Sequence, residues 1–497
     1  MHCSCLIKGG LVCDGTGSEP AVKDVVTLSD RIVAVGENLH GLEPVETIDA
    51  SGMVVSPGFI DVHSHDDFSV FMTPDMEYKI RQGVTTSIVG NCGFSISPYK
   101  ESIEYTIFYH DKAKMPVWDN FSSYMECFDR QPASINIGIL AGLGAFRYAV
   151  KKDSREPLGK VEVSKVRLLL EQSVRERVLG LSLGLAYFPG IYSSTGELIE
   201  IVDKLRDSNL LFAIHMRDEG HNLIPALEEA LEISRNTGVP IQISHFKALG
   251  KDNAHLFGRA LEMVDRAILD GLSVTVDFYP FDSGCTALKE VLRWNVFSPN
   301  PQEAMFSADA SEIVIITPGK HPEWVGKSIA DLAAGFGLPP EETAKRICGV
   351  DENVLVAMRD CITEENIEAV MKKPYSMIGS DGIPTETGFS NPRLYGTFPR
   401  VLGRYSRDRK VITLAEAVRK MTGFPASRFN LADRGIIREG AFADIVIFDC
   451  HEILDKADYS NPKQYPVGLR DVFVNGEMVL KGGALTGKRA GRTLKSR

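Results

Sequence analysis

Residues 57–67 read Pro-Gly-Phe-Ile-Asp-Val-His-Ser-His-Asp-Asp. Phe59, Ile60 and Val62 form a short β-prone apolar run, entered through the turn pair Pro57-Gly58. His63 and His65 follow two positions apart, and residues i and i+2 of an extended strand share a face. Both imidazoles therefore aim at one point, which is half of a site for zinc or a similar divalent ion. Taken alone, the pair is a weak signal, because most such pairs are ordinary polar positions. A metal reading needs ligands from elsewhere in the chain.

Outward from this stretch, strand and helix signals alternate. Short apolar strand candidates lie at 58–65, 85–91, 135–141, 180–187, 210–216, 239–245, 273–280 and 376–381. Between them, 161–178, 196–208, 221–237 and 257–270 carry apolar residues at helical spacing with Glu, Lys and Arg interspersed. Eight strands alternating with helices imply a parallel sheet, and the leading architecture is an α/β fold built on a (β/α)8 TIM-like barrel. An open doubly wound sheet is the alternative, but no Gly-rich phosphate turn follows the first strand.

A barrel places its chemistry at the C-terminal ends of its strands. His63 and His65 end the first strand, Cys92 the second, His215 the fifth, His245 the sixth and Asp381 the eighth. Six ligand-type residues thus occupy equivalent positions at one rim. Residues 285–375 break the spacing and are too long for a bare loop. Helical patterns at 324–338 and 341–347 suggest an inserted lid between strands 7 and 8. A further helix is expected at 413–421. The β-rich ends, 1–56 and 436–497, read as one small β-sandwich domain built from both termini around a barrel domain at 57–435.

The 497 residues are 44% hydrophobic and 24% charged, with net charge −11 and scattered Lys and Arg. That balance argues against nucleic acid or an anionic membrane as the main partner. No apolar run approaches the ~18 residues of a membrane span, and no secretory signal is apparent at the start. Nine dispersed cysteines fit reduced thiols, so a cytoplasmic setting is expected. Cys3 and Cys5 have no second pair to complete four metal ligands and read as plain thiols. The other histidines (His2, His40, His110, His221, His255, His321 and His451) lack a strand-end context and read as surface or structural positions.

With those residues in place, the chain resembles the N-acyl-D-amino-acid deacylases (D-aminoacylases) of the amidohydrolase superfamily. The matching segments are PGFIDVHSHDD at 57–67, GVTTSIVGNCGFSISP at 83–98, HMRDEG at 215–220, SHFKALG at 244–250, VDFYPF at 276–281 and SDGIPTETGFSNPRLYGTFPRVLGRY at 380–405. Strand 4 lacks the lysine that other amidohydrolases carry there, so the resemblance implies Cys92 as the ligand able to bridge two metal positions. It implies a tight zinc site of Cys92, His215 and His245, with His63, His65, Cys92 and Asp381 forming a second, weaker one. Two departures stand out: Leu143 where the family has a His after strand 3, and Phe246 where His is common.

The implied reaction is zinc-dependent hydrolysis of an N-acyl-D-amino acid, a small molecule, to a carboxylate and a D-amino acid. Asp381 is expected to be the general base and proton carrier as well as a ligand. Lys247, Tyr279 and Arg393 are expected at the substrate carboxylate, with Ser283 and Arg217 as further pocket candidates. The alternatives are another amidohydrolase reaction, on cyclic amides or dipeptides, and a non-catalytic scaffold.

Overall fold

The computed structural model describes residues 2–106, 115–152, 154–298, 300–317, 319–385 and 387–497. His110 therefore lies outside the described residues.

Eight short, fully buried strands form the parallel sheet that the alternation requires. They are β1 (Phe59–Asp61), β2 (Val84–Val89), β3 (Asn136–Gly142), β4 (Gly180–Gly184), β5 (Leu211–His215), β6 (Ile241–Ile243), β7 (Val274–Phe278) and β8 (Ser376–Ile378). Each pairs with its sequence neighbour, β7 with β8 across the insert. Strand 8 comes back against strand 1 through a parallel bridge of Ser64 with Gly382 and through Asp381 N donating to His63 O at 2.8 Å. The sheet is thereby rolled into a barrel. Ile60, Ile88, Leu140, Leu211, Ala213 and Met377 from its strands share one core with Val62, Ala426, Phe429 and Leu431.

The crossover helices run Lys160–Arg175, Thr195–Val202, Leu223–Thr237 and Phe257–Leu269. Their ends follow local chemistry. The Ser194 side chain caps the second, and Gly238, at φ 69°, terminates the third in the left-handed region that glycine tolerates. The second stops at Val202, short of its apolar pattern, and continues as a 3-10 turn over Asp203–Leu205.

Both termini build one mixed sheet. Val54–Pro57 joins them: it runs parallel to His2–Val12 and antiparallel to Ile445–Phe448. Ile7, Val25, Ile32, Val55, Ile445, Ile447 and Phe473 meet in a common core. The last strand, Thr493–Leu494, leaves this sheet and pairs with β3 of the barrel.

Between β7 and β8 the insert forms its own antiparallel sheet of Gly284–Ala287, Leu355–Met358 and Ile313–Ile315. Helices Leu288–Arg293, Ile329–Phe336 and Pro340–Val350 belong to it. The helix expected after β8 spans Leu414–Met421, capped by Thr413. No helix of the described residues is long and apolar enough to cross a membrane.

Candidate metal centre

The barrel topology brings the six strand-end residues to one rim. Cys92 Sγ lies 3.3 Å from His63 Nε2 and 3.5 Å from His245 Nε2. His63, His65 and Cys92 offer donor atoms all within 4.8 Å of one another, and so do Cys92, His215 and His245. The two triads share the sulfur. Asp381 Oδ1 stands 3.2 Å from His65 Nε2 and 3.5 Å from His63 Nε2. All six side chains are buried.

Backbone geometry explains how short strands aim these groups inward. Cys92, His245 and Asp381 have φ of 55°, 37° and 47°, a region costing about 1–2 kcal/mol for residues other than glycine. Such strain clusters where surrounding structure enforces a functional geometry. Gly184 ends β4 against the Cys92 loop. A Cβ at this position would collide with the Cys92 carbonyl oxygen, so the Cys92 loop occupies that space.

The donor set fits a soft-to-borderline dication. Burial pushes the pKa of His215 and His245 well below the ordinary value, which keeps their lone pairs available. His215 Nδ1 is buried with no hydrogen-bond partner. Burial also raises the Cys92 thiol to about 11, and a dication held by these residues would supply the positive charge needed to ionise it. For Asp381, burial alone would raise the pKa, but Arg393 and the facing imidazoles outweigh it and hold the carboxyl well below the usual range.

The ligand candidates are braced from behind by groups that the strand-end reading did not single out. Asp277 Oδ1 lies 3.1 Å from His63 Nδ1 and accepts from His245 N at 2.7 Å, while Gln242 donates to Asp277 Oδ2 at 2.8 Å. Glu219 Oε1 lies 2.7 Å from His245 Nδ1, and Oε2 lies 2.6 Å from Lys247 Nζ. Carboxylates behind metal-binding imidazoles fix ring orientation and basicity. A signal for both was present: Asp277 sits at the end of β7, and Glu219 is four residues beyond His215.

Lys247, Tyr279 and Arg393 converge beside Asp381. Arg393 is 1% exposed, its Nη2 lies 2.8 Å from Asp381 Oδ2, and its guanidinium carbon stands 4.4 Å above the Tyr279 ring. Its Nε and Nη1 are buried without hydrogen-bond partners. Lys247 Nζ is 5.7 Å from the same ring. Ser283 is tied to this group indirectly: its hydroxyl accepts from Asn391 Nδ2 at 2.8 Å, and Asn391 Oδ1 accepts from Arg393 N at 3.2 Å. Arg217 does not join them, because its guanidinium is spent on Glu229 and the Ile191 and Ser193 carbonyls. Leu143 and Phe246, the two departures, are both buried apolar residues. His40, His221, His255 and His451 are exposed, and His321 stacks on Trp324.

A family model described as "Amidohydrolase family" matches residues 46–126 and 340–480. The chain is 35% identical to a D-aminoacylase of Alcaligenes xylosoxydans xylosoxydans, covering 98% of this chain and 97% of the relative. It is 34% identical to an N-acyl-D-glutamate deacylase of the same organism, covering 95% and 92%. Among solved structures it is similar to an N-acyl-D-glutamate deacylase of Bordetella bronchiseptica complexed with zinc and a phosphonate mimic of the tetrahedral intermediate. That likeness has TM-score 0.89 and 32% identity, and covers both chains in full.

Proposed function

The chain belongs to the N-acyl-D-amino-acid deacylase (D-aminoacylase) family of amidohydrolases, and from that premise we propose that it hydrolyses the amide bond of N-acyl-D-amino acids with zinc as its metal. Cys92, His215 and His245 would hold the tight ion, and His63, His65, Cys92 and Asp381 a second, weaker one. Zinc bound at such a site lowers the pKa of water to around 7 and polarises a carbonyl.

The chain's own groups supply the rest. Asp381, held ionised by Arg393, takes a proton from the attacking water and delivers it to the departing nitrogen. Without that delivery the amine would leave as an anion, which an amide does not permit at neutral pH. The substrate α-carboxylate docks on Arg393, where two buried donors lack partners, with Lys247 and Tyr279 alongside. A planar guanidinium meets a carboxylate through two parallel hydrogen bonds, which fixes orientation as well as binding. Anchoring that group beside Asp381 sets the scissile amide near the donor triads.

The observation that carries this reading is the pair of donor triads sharing Cys92, beside a buried arginine with open donors. The test is to incubate the zinc-loaded protein with paired N-acetyl-D- and N-acetyl-L-amino acids and measure released amine. Release from D-forms supports the reading; release from L-forms only, or from none, overturns it.

A further inference from the structure

A hollow of about 630 Å³ lies outside the cavity of the metal centre, where four parts of the fold meet. The segment after β1 supplies Glu77, the insert supplies Leu355, and the chain after β8 supplies Leu394 and Tyr395. Lys463 and Tyr465 come from the terminal domain, on the loop between Ile445–Phe448 and Leu469–Val474. The hollow and the metal-centre cavity stand on opposite sides of one wall. Ile383 lines the cavity and Pro384 the hollow, and Met358 and Leu355 of one insert strand divide in the same way. Arg393 reaches Asp381, while Leu394 and Tyr395, next in the chain, line the hollow. No described residue lines both.

The charges of the hollow do not cancel. Its two acids are paired: Asp75 Oδ1 lies 2.9 Å from Arg489 Nε, and Glu77 Oε1 lies 2.7 Å from Arg81 Nε. Lys463 has no carboxylate partner among the described residues. Its Nζ donates to the Thr385 carbonyl at 3.3 Å, and burial pulls its pKa below the ordinary value. A half-buried ammonium without a counter-charge is costly, and a bound anion offsets that cost. Asp75 and Glu77 repel a polyanion, which restricts the ligand to a single negative charge. The remaining surface suits an apolar body: Leu355 and Leu394 are buried, and the rings of Tyr395 and Tyr465 stand 5.8 Å apart, tilted by 45°.

We propose that this hollow is a second binding site, separate from the metal centre, for a carboxylate of single charge with an apolar or aromatic body, the carboxylate pairing with Lys463. Two kinds of molecule share that chemistry: a released carboxylic acid and an intact N-acyl amino acid. A ligand in the hollow lies against Leu394, the residue that follows the arginine of the metal centre.

The test is equilibrium dialysis of the zinc-loaded full chain against phenylacetate and against N-acetyl-L-phenylalanine. At least one of them should occupy a site that Lys463→Met weakens at least ~10-fold, the worth of a charge-assisted hydrogen bond. Tighter binding of phenylacetate assigns the site to a released acid, and tighter binding of N-acetyl-L-phenylalanine to an intact acylamino acid. Phenylacetamide, which lacks the charge, should bind there at least ~10-fold more weakly than phenylacetate. Binding of neither acid, or binding that Lys463→Met leaves unchanged, would overturn the proposal. If circular dichroism shows that Lys463→Met does not fold, Tyr465→Ala poses the same question with the same two outcomes. The measurement needs no turnover, so its failure is distinct from failure of the deacylase reading.

Discussion

Replacing Lys79 by methionine removes a cation that never touches the cavity, and the structure sets how much that should matter. Lys79 Nζ lies 2.5 Å from Asp61 Oδ2, 3.0 Å from Asp66 Oδ2 and 3.2 Å from Ser380 Oγ. All three charged side chains are 0% exposed. Asp61 in turn accepts from Ser380 N at 2.8 Å and from His63 N at 3.3 Å. This buried cluster fastens the seam of β1 and β8, and so fixes His63, His65 and Asp381. Burial opposes charge on Lys79, but the two carboxylates outweigh it and raise its pKa above the ordinary value. Because the folded value is the higher one, the stabilisation is complete below the ordinary lysine pKa of about 10.4 and fades only as pH rises through the folded value. At neutral pH the full contribution is present. Removing one partner of a buried pair costs about 3–5 kcal/mol, because charge is left uncompensated. With ~2 °C lost per kcal/mol in a large domain, Lys79→Met should melt on the order of 6–10 °C lower. The assay is thermal unfolding of the metal-free protein, with bound zinc measured in parallel. Adding Asp66→Asn to Lys79→Met restores the cluster's net charge and should recover part of the loss, the coupling expected of contacting groups. A Lys79→Met protein that melts with the parent and binds zinc as fully would refute this account of the seam.

Two further outcomes follow from the rim geometry. Arg393→Met should lower kcat/KM on an N-acetyl-D-amino acid by about 10²–10³-fold, the worth of a buried charge-assisted pair. The variant should also stop distinguishing that substrate from its decarboxylated N-acetyl amine, which steady-state kinetics would show. Glu219→Gln frees both His245 and Lys247 from the carboxylate that braces them. Zinc affinity should fall about 10–100-fold, as measured by chelator competition; unchanged affinity would mean that the carboxylate does not orient the imidazole.

The barrel was legible because its strands are short, apolar and regularly spaced, and because strand ends are the one place where this topology gathers chemistry. His63, His65, Cys92, His215, His245 and Asp381 lie far apart in the chain, yet that rule alone brings them to one rim. Asp277 and Glu219 were harder to see. A bracing carboxylate is recognisable only from what it faces, and pairings such as Glu219 with His245 depend on how β5 and β6 align. Lys79 was invisible for the same reason: within the sequence it is one more cation on an amphipathic stretch, and only burial beside Asp61 and Asp66 gives it a role. The insert's share of the rim cavity was illegible too, because Trp294 and Met358 come from a segment whose placement over the barrel no periodicity encodes. Arg217 fails on a simpler count, since Glu229 and the Ile191 and Ser193 carbonyls hold its guanidinium away from the rim.

The central claim is that a sulfur and imidazoles from separate strands grip one zinc ion. X-ray absorption at the zinc edge reads this directly. The zinc-loaded protein should show a sulfur scatterer near ~2.3 Å together with nitrogen or oxygen at about 2.0–2.1 Å, and Cys92→Ala should lose the sulfur shell. A first shell of nitrogen and oxygen alone in the unaltered protein would contradict the claim.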